Sequence, residues 1–179
     1  STNQWFGFGD GLRGDPSVNA AVTSLLFAPD GRVVVGGGFS TAGGIPASAI
    51  ALLNPETGEW APLGSGLTDQ LPETPAVGSM ALSPDGDLLV AGHFQAAGGV
   101  PADSVAQYRF STGEWSPLGT GLVSSGEGGR GSANSILVSS SGDVILAGSF
   151  FIGANQQSSL LARLRATASE REVLPGEVL

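Results

Sequence analysis

The sequence predicts an all-β chain built as an array of similar units, and three observations predict it. First, a box recurs: Trp60-Ala-Pro-Leu-Gly-Ser-Gly-Leu67 returns fifty-five residues later as Trp115-Ser-Pro-Leu-Gly-Thr-Gly-Leu122. A weaker copy, Trp5-Phe-Gly-Phe-Gly-Asp-Gly-Leu12, lies fifty-five residues earlier. A repeat of that length signals stacked supersecondary units. Second, pairs of apolar runs flank tight turns at Pro29-Asp30-Gly31, Pro84-Asp85-Gly86 and Ser141-Gly142. Asp supplies a side-chain hydrogen bond and Gly a positive φ, which is hairpin chemistry. Third, no stretch shows a helical period of 3.6.

Each unit reads as four short strands, A to D. Strand A precedes the tight turn (Val22 to Phe27, Gly78 to Leu82, Asn134 to Val138). Strand B follows it, with Val33-Val34-Val35, Leu88-Leu89-Val90 and Val144-Ile145-Leu146. These runs are apolar without alternation, as in a strand buried on both faces. Strand C is Ala49 to Leu53, Ser104 to Tyr108 and Leu160 to Leu164; strand D carries the Trp. Pro62 and Pro117 follow the Trp closely, which makes D an edge strand.

The boundaries follow from the box: 1–12 an orphan outer strand of an incomplete unit, 13–67, 68–122, and 123–179 with a degenerate C-terminal cap. In the last unit Arg171 stands where the Trp is due, and a decayed strand D is expected around Val173 and Leu174. The start at Ser1, in mid-pattern, reads as a mature or excised piece of a longer array.

Composition excludes several functions. The net charge is −9, with seven arginines and no lysine. Nucleic acid and anionic membranes need a basic face, and Schiff-base and P-loop chemistry need lysine. The absence of cysteine removes disulfides, thiolate metal sites and thiol nucleophiles. No run of about 18 apolar residues offers a membrane span. A hydrophobic content of 41% against 13% charged residues provides a core to bury.

Four-stranded units of this length, with a glycine doublet (Gly36-Gly37) and an aromatic pair (Tyr108 and Trp115), resemble kelch-type β-propeller blades. The Trp-x-Pro-Leu-Gly-x-Gly-Leu box is nearer to a secreted bacterial variant of such repeats. The sequence departs from the pattern at Ala91-Gly92 and Ala147-Gly148, half-doublets, and at Leu53 and Leu164 in place of Tyr. The resemblance implies three four-stranded antiparallel blades of a β-propeller. Propellers close with about four to eight blades. Three are therefore completed by self-association or by a missing part of a longer chain.

Strand parity places the tight A–B and C–D turns at one end and the longer B–C and D–A loops at the other. Long loops carry function more often than tight turns. The expected ligand-binding residues are those of the long-loop end: Asp15, Asp69, Glu73, His93, Asp103, Glu127 and Arg130. His93 is the only histidine; such a residue is more often structural than catalytic. No triad can be assembled from composition, so no catalytic residue, metal ligand or cofactor is expected. Asp85, Asp87 and Asp143 lack the alternating ligand ladder of a calcium loop, and turn chemistry explains them better. Arg13-Gly14-Asp15 matches an integrin-recognition tripeptide, a short match that a glycine-rich chain makes by chance. Recurrence of the Trp once per unit favours packing over a sugar cradle.

The expectation is a non-catalytic binding or structural module, extracellular or on the cell surface. It would associate with itself, or with other proteins or glycans. The alternative is a propeller enzyme of glycosidase or lyase type using loop carboxylates. A glycosidase would need two of them within ~5–9.5 Å.

Overall fold

The structure is a computed structural model, and it describes residues 4–14, 20–69, 74–122, 131–151 and 158–165. All regular elements among them are strands. In chain order these begin with β1 (Leu12–Arg13), β2 (Ala21–Phe27), β3 (Val33–Gly38), β4 (Thr41–Ala42), β5 (Ile45–Pro46), β6 (Ile50–Leu53) and β7 (Trp60–Pro62). The second unit holds β8 (Leu67–Thr68), β9 (Ala76–Leu82), β10 (Leu88–His93), β11 (Ala96–Ala97), β12 (Val100–Pro101), β13 (Val105–Arg109) and β14 (Glu114–Pro117). The third holds β15 (Ser132–Val138), β16 (Val144–Phe151) and β17 (Ser158–Leu164).

Strands A to D pair antiparallel in sequence order. The sheets run β2-β3-β6-β7, β9-β10-β13-β14 and β15-β16-β17. The third lacks a D strand among the described residues, since Arg171, Val173 and Leu174 lie outside them. Pro62 and Pro117 fall on the edge strands β7 and β14, where a missing donor breaks no ladder.

Each sheet packs on the next through its inner strands: β9 lies against β2 and β3, and β15 against β9 and β10. In the first two units strand B is buried on both faces, as its unbroken apolar runs predict; in the third, Val144 and Leu146 are buried and Ile145 and Ala147 are partly exposed. Val34 joins Ile50 and Leu52 with Met80, Leu88 and Val90 in the core between the first two sheets. Leu89 and Val105 join Ile136, Val144 and Leu146 between the second and third. Phe39 and Phe94 follow directly on strand B, Phe150 lies near its end in the third unit, and all three are buried.

One feature of the glycine pairs has a steric cause. Strand A carries a bulge in every unit, where the register slips between Val22 and Ser24, between Ala91 and Gly92, and between Ala133 and Ser135. The bulge drives a strand-A carbonyl against strand B. A Cβ on Gly37, Gly92 or Gly148 would overlap the carbonyl oxygen of Ala21, Ala76 or Ser132 respectively. The second glycine of the doublet is thus required. The first, Gly36, makes room for the neighbouring sheet, and alanine serves at positions 91 and 147.

The recurring box is a clasp between units, which spacing alone does not reveal. Its last residues cross to the following unit. Leu67 and Thr68 pair with Ala97 and Ala96 in the small β8-β11-β12 sheet. Leu12 and Arg13 pair with Ala42 and Thr41 in the same way. Residues 5–12, expected as an outer D strand, therefore dock by their end on the first unit's own β4–β5 hairpin. The Trp completes the clasp. Trp115 Nε1 donates to the Leu63 carbonyl at 3.3 Å, and Trp60 Nε1 to the Phe8 carbonyl at 3.1 Å. Each indole covers a glycine of its own unit's hairpin, Gly98 or Gly43, where a Cβ would strike the ring.

Candidate functional site

The turn carboxylates are engaged in holding strands. Asp30 accepts from the Arg32 backbone N–H and guanidinium at 3.0 and 2.8 Å. That guanidinium holds the Asp30 carboxyl below the usual carboxylate range. Asp87 accepts from Gln107 Nε2 at 2.7 Å and faces Arg109. Asp143 takes the Arg163 guanidinium in the same register. The Asp87 and Asp143 contacts tie the A–B turn to strand C and give these two carboxylates a structural task. No cluster of three or more metal-ligating side chains occurs among the described residues.

Two open clefts lie at the tight-turn end, opposite to the expected end. One, of about 620 Å³, lies between Asp10, Arg32, Asn54, Glu59 and Trp60. The other, of about 350 Å³, is lined by Pro29, Asp30, Asp85, Gly86, Asp87 and Phe110 at the seam of the first two sheets.

At the long-loop end the structure brings Asp69 and His93 together. Asp69 follows β8, which is fixed to β11 by the clasp; His93 ends β10. The backbone N–H of Gln95 donates to the Thr68 carbonyl at 2.8 Å, which locks the two chain ends side by side. His93 Nε2 stands 3.4 Å from Asp69 Oδ2. The carboxylate side chain is fully buried and the imidazole is 35% exposed. The buried carboxylate thus lies behind a half-exposed ring. The ring can offer a hydrogen bond to a ligand.

Fifty-five residues earlier, the positions of Asp69 and His93 are Gly14 and Gly38. Without side chains there, a small hollow of about 70 Å³ opens between Gly14, Gly38, Phe39, Ser40, Ser48, Thr74 and Pro75. The long-loop end therefore carries a polar pair in the second unit and a hollow at the matching positions of the first. This asymmetry shows only when the units are aligned on the box.

Asp103 has another task. Its backbone carbonyl accepts from the Leu122 N–H at 2.8 Å, and its φ is +41°. The equivalent Ser48 carbonyl accepts from Leu67. Asp103 belongs to the clasp seam. Asp15, Glu73, Glu127 and Arg130 lie outside the described residues. Arg13, of the tripeptide, pairs in β1 with Thr41.

An all-β chain of antiparallel four-stranded units, stacked through their inner strands, is a protein of β-propeller type. The profile of a family described as "Domain of unknown function (DUF5122) beta-propeller" matches residues 28–58 and 83–109. Both segments start at the A–B turn of successive units; the first runs through the C–D turn and the second to the end of strand C. They cover about a third of the chain, so the similarity is to the repeat. Among solved structures, the chain is similar to a protein from Lactobacillus plantarum, with 18% identity and a TM-score of 0.46. The match covers 87% of this chain and 45% of that one, so this chain spans about half its length. No curated protein matches the chain.

Proposed function

We propose that this chain is a non-catalytic interaction module of the kelch-like type. It takes a protein or glycan ligand at its long-loop end and joins other propeller units through its outer sheet faces. The observation that carries the ligand reading is the His93–Asp69 pair. It breaks the repeat, is held by the clasp, and stands where the first unit has only Gly14 and Gly38. Trp60 and Trp115 of the box, Asp30, Asp87 and Asp143 of the turns, and Gly37, Gly92 and Gly148 are engaged in packing, pairing and turn chemistry. This supports a scaffold that presents one differentiated spot. A chain of net charge −9 without lysine or cysteine fits a place at the cell surface or outside it.

The single histidine makes the test direct. The imidazole protons of His93 give one set of NMR signals, followed while neutral and acidic oligosaccharides and peptide pools are added. A saturable shift that His93→Gln and Asp69→Asn each weaken at least tenfold is the expected result. Turnover of an oligosaccharide that both substitutions abolish would replace this reading with the enzymatic one. Unmoved signals across the panel would refute binding at this pair.

A further inference from the structure

The outward faces of the first and third sheets are the two halves of an interface that the chain already makes twice internally. The register positions on the receiving side of a sheet are Val22, Leu25 and Phe27 in unit 1. They are Val77, Met80 and Leu82 in unit 2, and Ala133, Ile136 and Val138 in unit 3. Met80 and Ile136, pressed on the preceding sheet, are 8% and 3% exposed, whereas Leu25 is 63% exposed. Val77 and Ala133 are buried, whereas Val22 is half exposed and Phe27 is 66% exposed. The other side of the interface follows the same rule. Leu26 and Ala81 pack against the cores between sheets. Leu137, at their register in unit 3, is 63% exposed.

We propose that a second copy of this chain docks head to tail, its third sheet seated on the first sheet of its partner. This rests on the assembly half of the function proposed above and is independent of His93. The choice of occupant follows from continuity with the internal interface. In that interface a Cβ on Gly36 would lie 3.0 Å from Met80 Sδ and 2.7 Å from Val77 Cγ1. Ala147 stands at the Gly36 register of the third sheet, and Val22 and Leu25 at the Val77 and Met80 register of the first, so a methyl there requires the two sheets to sit slightly further apart than at Gly36. The internal precedent is Ala91, buried in one cluster with Ala133 and Ile136. The chain thus exposes apolar residues at both registers, Leu25 and Phe27 on one face and Leu137 on the other, and the two faces point away from each other across unit 2. A head-to-tail contact closes when the rotation per unit returns to its start. Two copies give six blades, inside the range at which propellers close.

The test uses the full chain. Light scattering with size exclusion is expected to give twice the 17.8 kDa chain mass at micromolar concentration. Phe27→Glu and Leu137→Glu, both at exposed positions, should each weaken association at least tenfold while circular dichroism keeps the β signature. Mixing the two variants restores one unblocked interface of the two, so a heterodimer should form where neither variant dimerises alone. Since the chain has no cysteine, the double variant Leu25→Cys with Ala147→Cys should oxidise to a covalent dimer without reagent length to span a gap. A monomer that stays monomeric at 100-fold higher concentration would assign these faces to neighbouring blades and overturn the proposal. So would association lost in Phe27→Glu but kept in Leu137→Glu, which means a face-to-same-face dimer. A normal ligand shift at His93 with no dimer would sink the docking alone. A dimer with no ligand shift would sink the binding reading alone.

Discussion

Replacing each Trp of the box by Ala measures what the box does. Trp115 is 8% exposed, lies 5.0 Å from Tyr108 ring to ring, and donates to the Leu63 carbonyl. Truncating a buried Trp costs about 3–5 kcal/mol, a range that includes the tilted aromatic pair and the hydrogen bond. Trp60 sits on the uncovered outer side of the first sheet, only partly buried against Val35 and Leu53. Its Nε1–H bond to Phe8 is in an exposed setting, so roughly 1–2 kcal/mol is expected. Trp5 is fully exposed and should change stability by less than about 0.5 kcal/mol. Urea titrations at submicromolar concentration, where copies stand apart, would give the series. The melting temperature of Trp115→Ala should fall by roughly 10 °C, at about 2–4 °C per kcal/mol for a chain of this size. Equal small effects at Trp115 and Trp5 would refute the clasp. Equal loss of glycan affinity at all three with stability unchanged would restore the sugar cradle.

Gly92→Ala should destabilise by about 1–3 kcal/mol, because its Cβ would overlap the Ala76 carbonyl at the bulge. Gly38→Ala, with open space around its Cβ, should stay within about 0.5 kcal/mol; the two melting curves compare directly. Ser104→Ala removes a buried hydroxyl that donates to the Gly131 carbonyl at 2.5 Å, and should cost about 1–3 kcal/mol in a urea titration. Asp30 has a folded pKa below its unfolded value, chiefly through the Arg32 hydrogen bond. Its contribution is present above the unfolded carboxylate pKa and is lost as pH falls through the lower folded one. The pair is solvent-exposed, so the contribution is about 0.2–1 kcal/mol and screened by salt. Arg32→Ala should lower the urea midpoint at pH 6 by that contribution and leave stability in acid below the folded pKa little changed.

Much of the sheet architecture is legible in the sequence, because its signals are local. Asp30-Gly31 and Asp85-Gly86 mark turns by their own chemistry, and Gly31 and Gly86 have φ of +86° and +81°. Val33 to Val35 and Leu88 to Val90 mark central strands by lacking alternation. The proline after each Trp marks the edge. The clasp is not legible, since β4, β8 and β11 are two residues long and have no period to detect. Their pairing depends on residues in another unit, as does the donation from Trp115 to Leu63. The candidate site was legible in part. Asp69 and His93 both fall on the long-loop end by strand parity, but their meeting at 3.4 Å depends on β8 crossing to β11. Asp103 reads as a loop carboxylate in one dimension and proves to be a seam residue in three. The positive φ values of Ala49 and Ser104, at one register in two units, have no sequence signal, because neither residue favours that region.

The clasp also changes what a unit is. Boundaries drawn after Leu67 and Leu122 follow the repeat in sequence, yet they cut through bonded structure. A break after Leu67 parts Leu67 from Thr68 within β8, which is joined to β11 of the next unit. It also separates the Leu63 carbonyl from Trp115 Nε1, and Thr23 Oγ1 from the Val77 carbonyl, bonded at 2.5 Å. The β4–β5 and β11–β12 hairpins are therefore completed by the chain before them, and the first two large sheets are covered by the unit after them. Stability in such an array is carried by interfaces between nearest neighbours. The exposed Leu25 and Phe27 follow from the same rule: they are the receiving half of an interface whose giving half is Leu137 and Ala147. The feature that builds the chain inward thus also specifies what fits its outer faces.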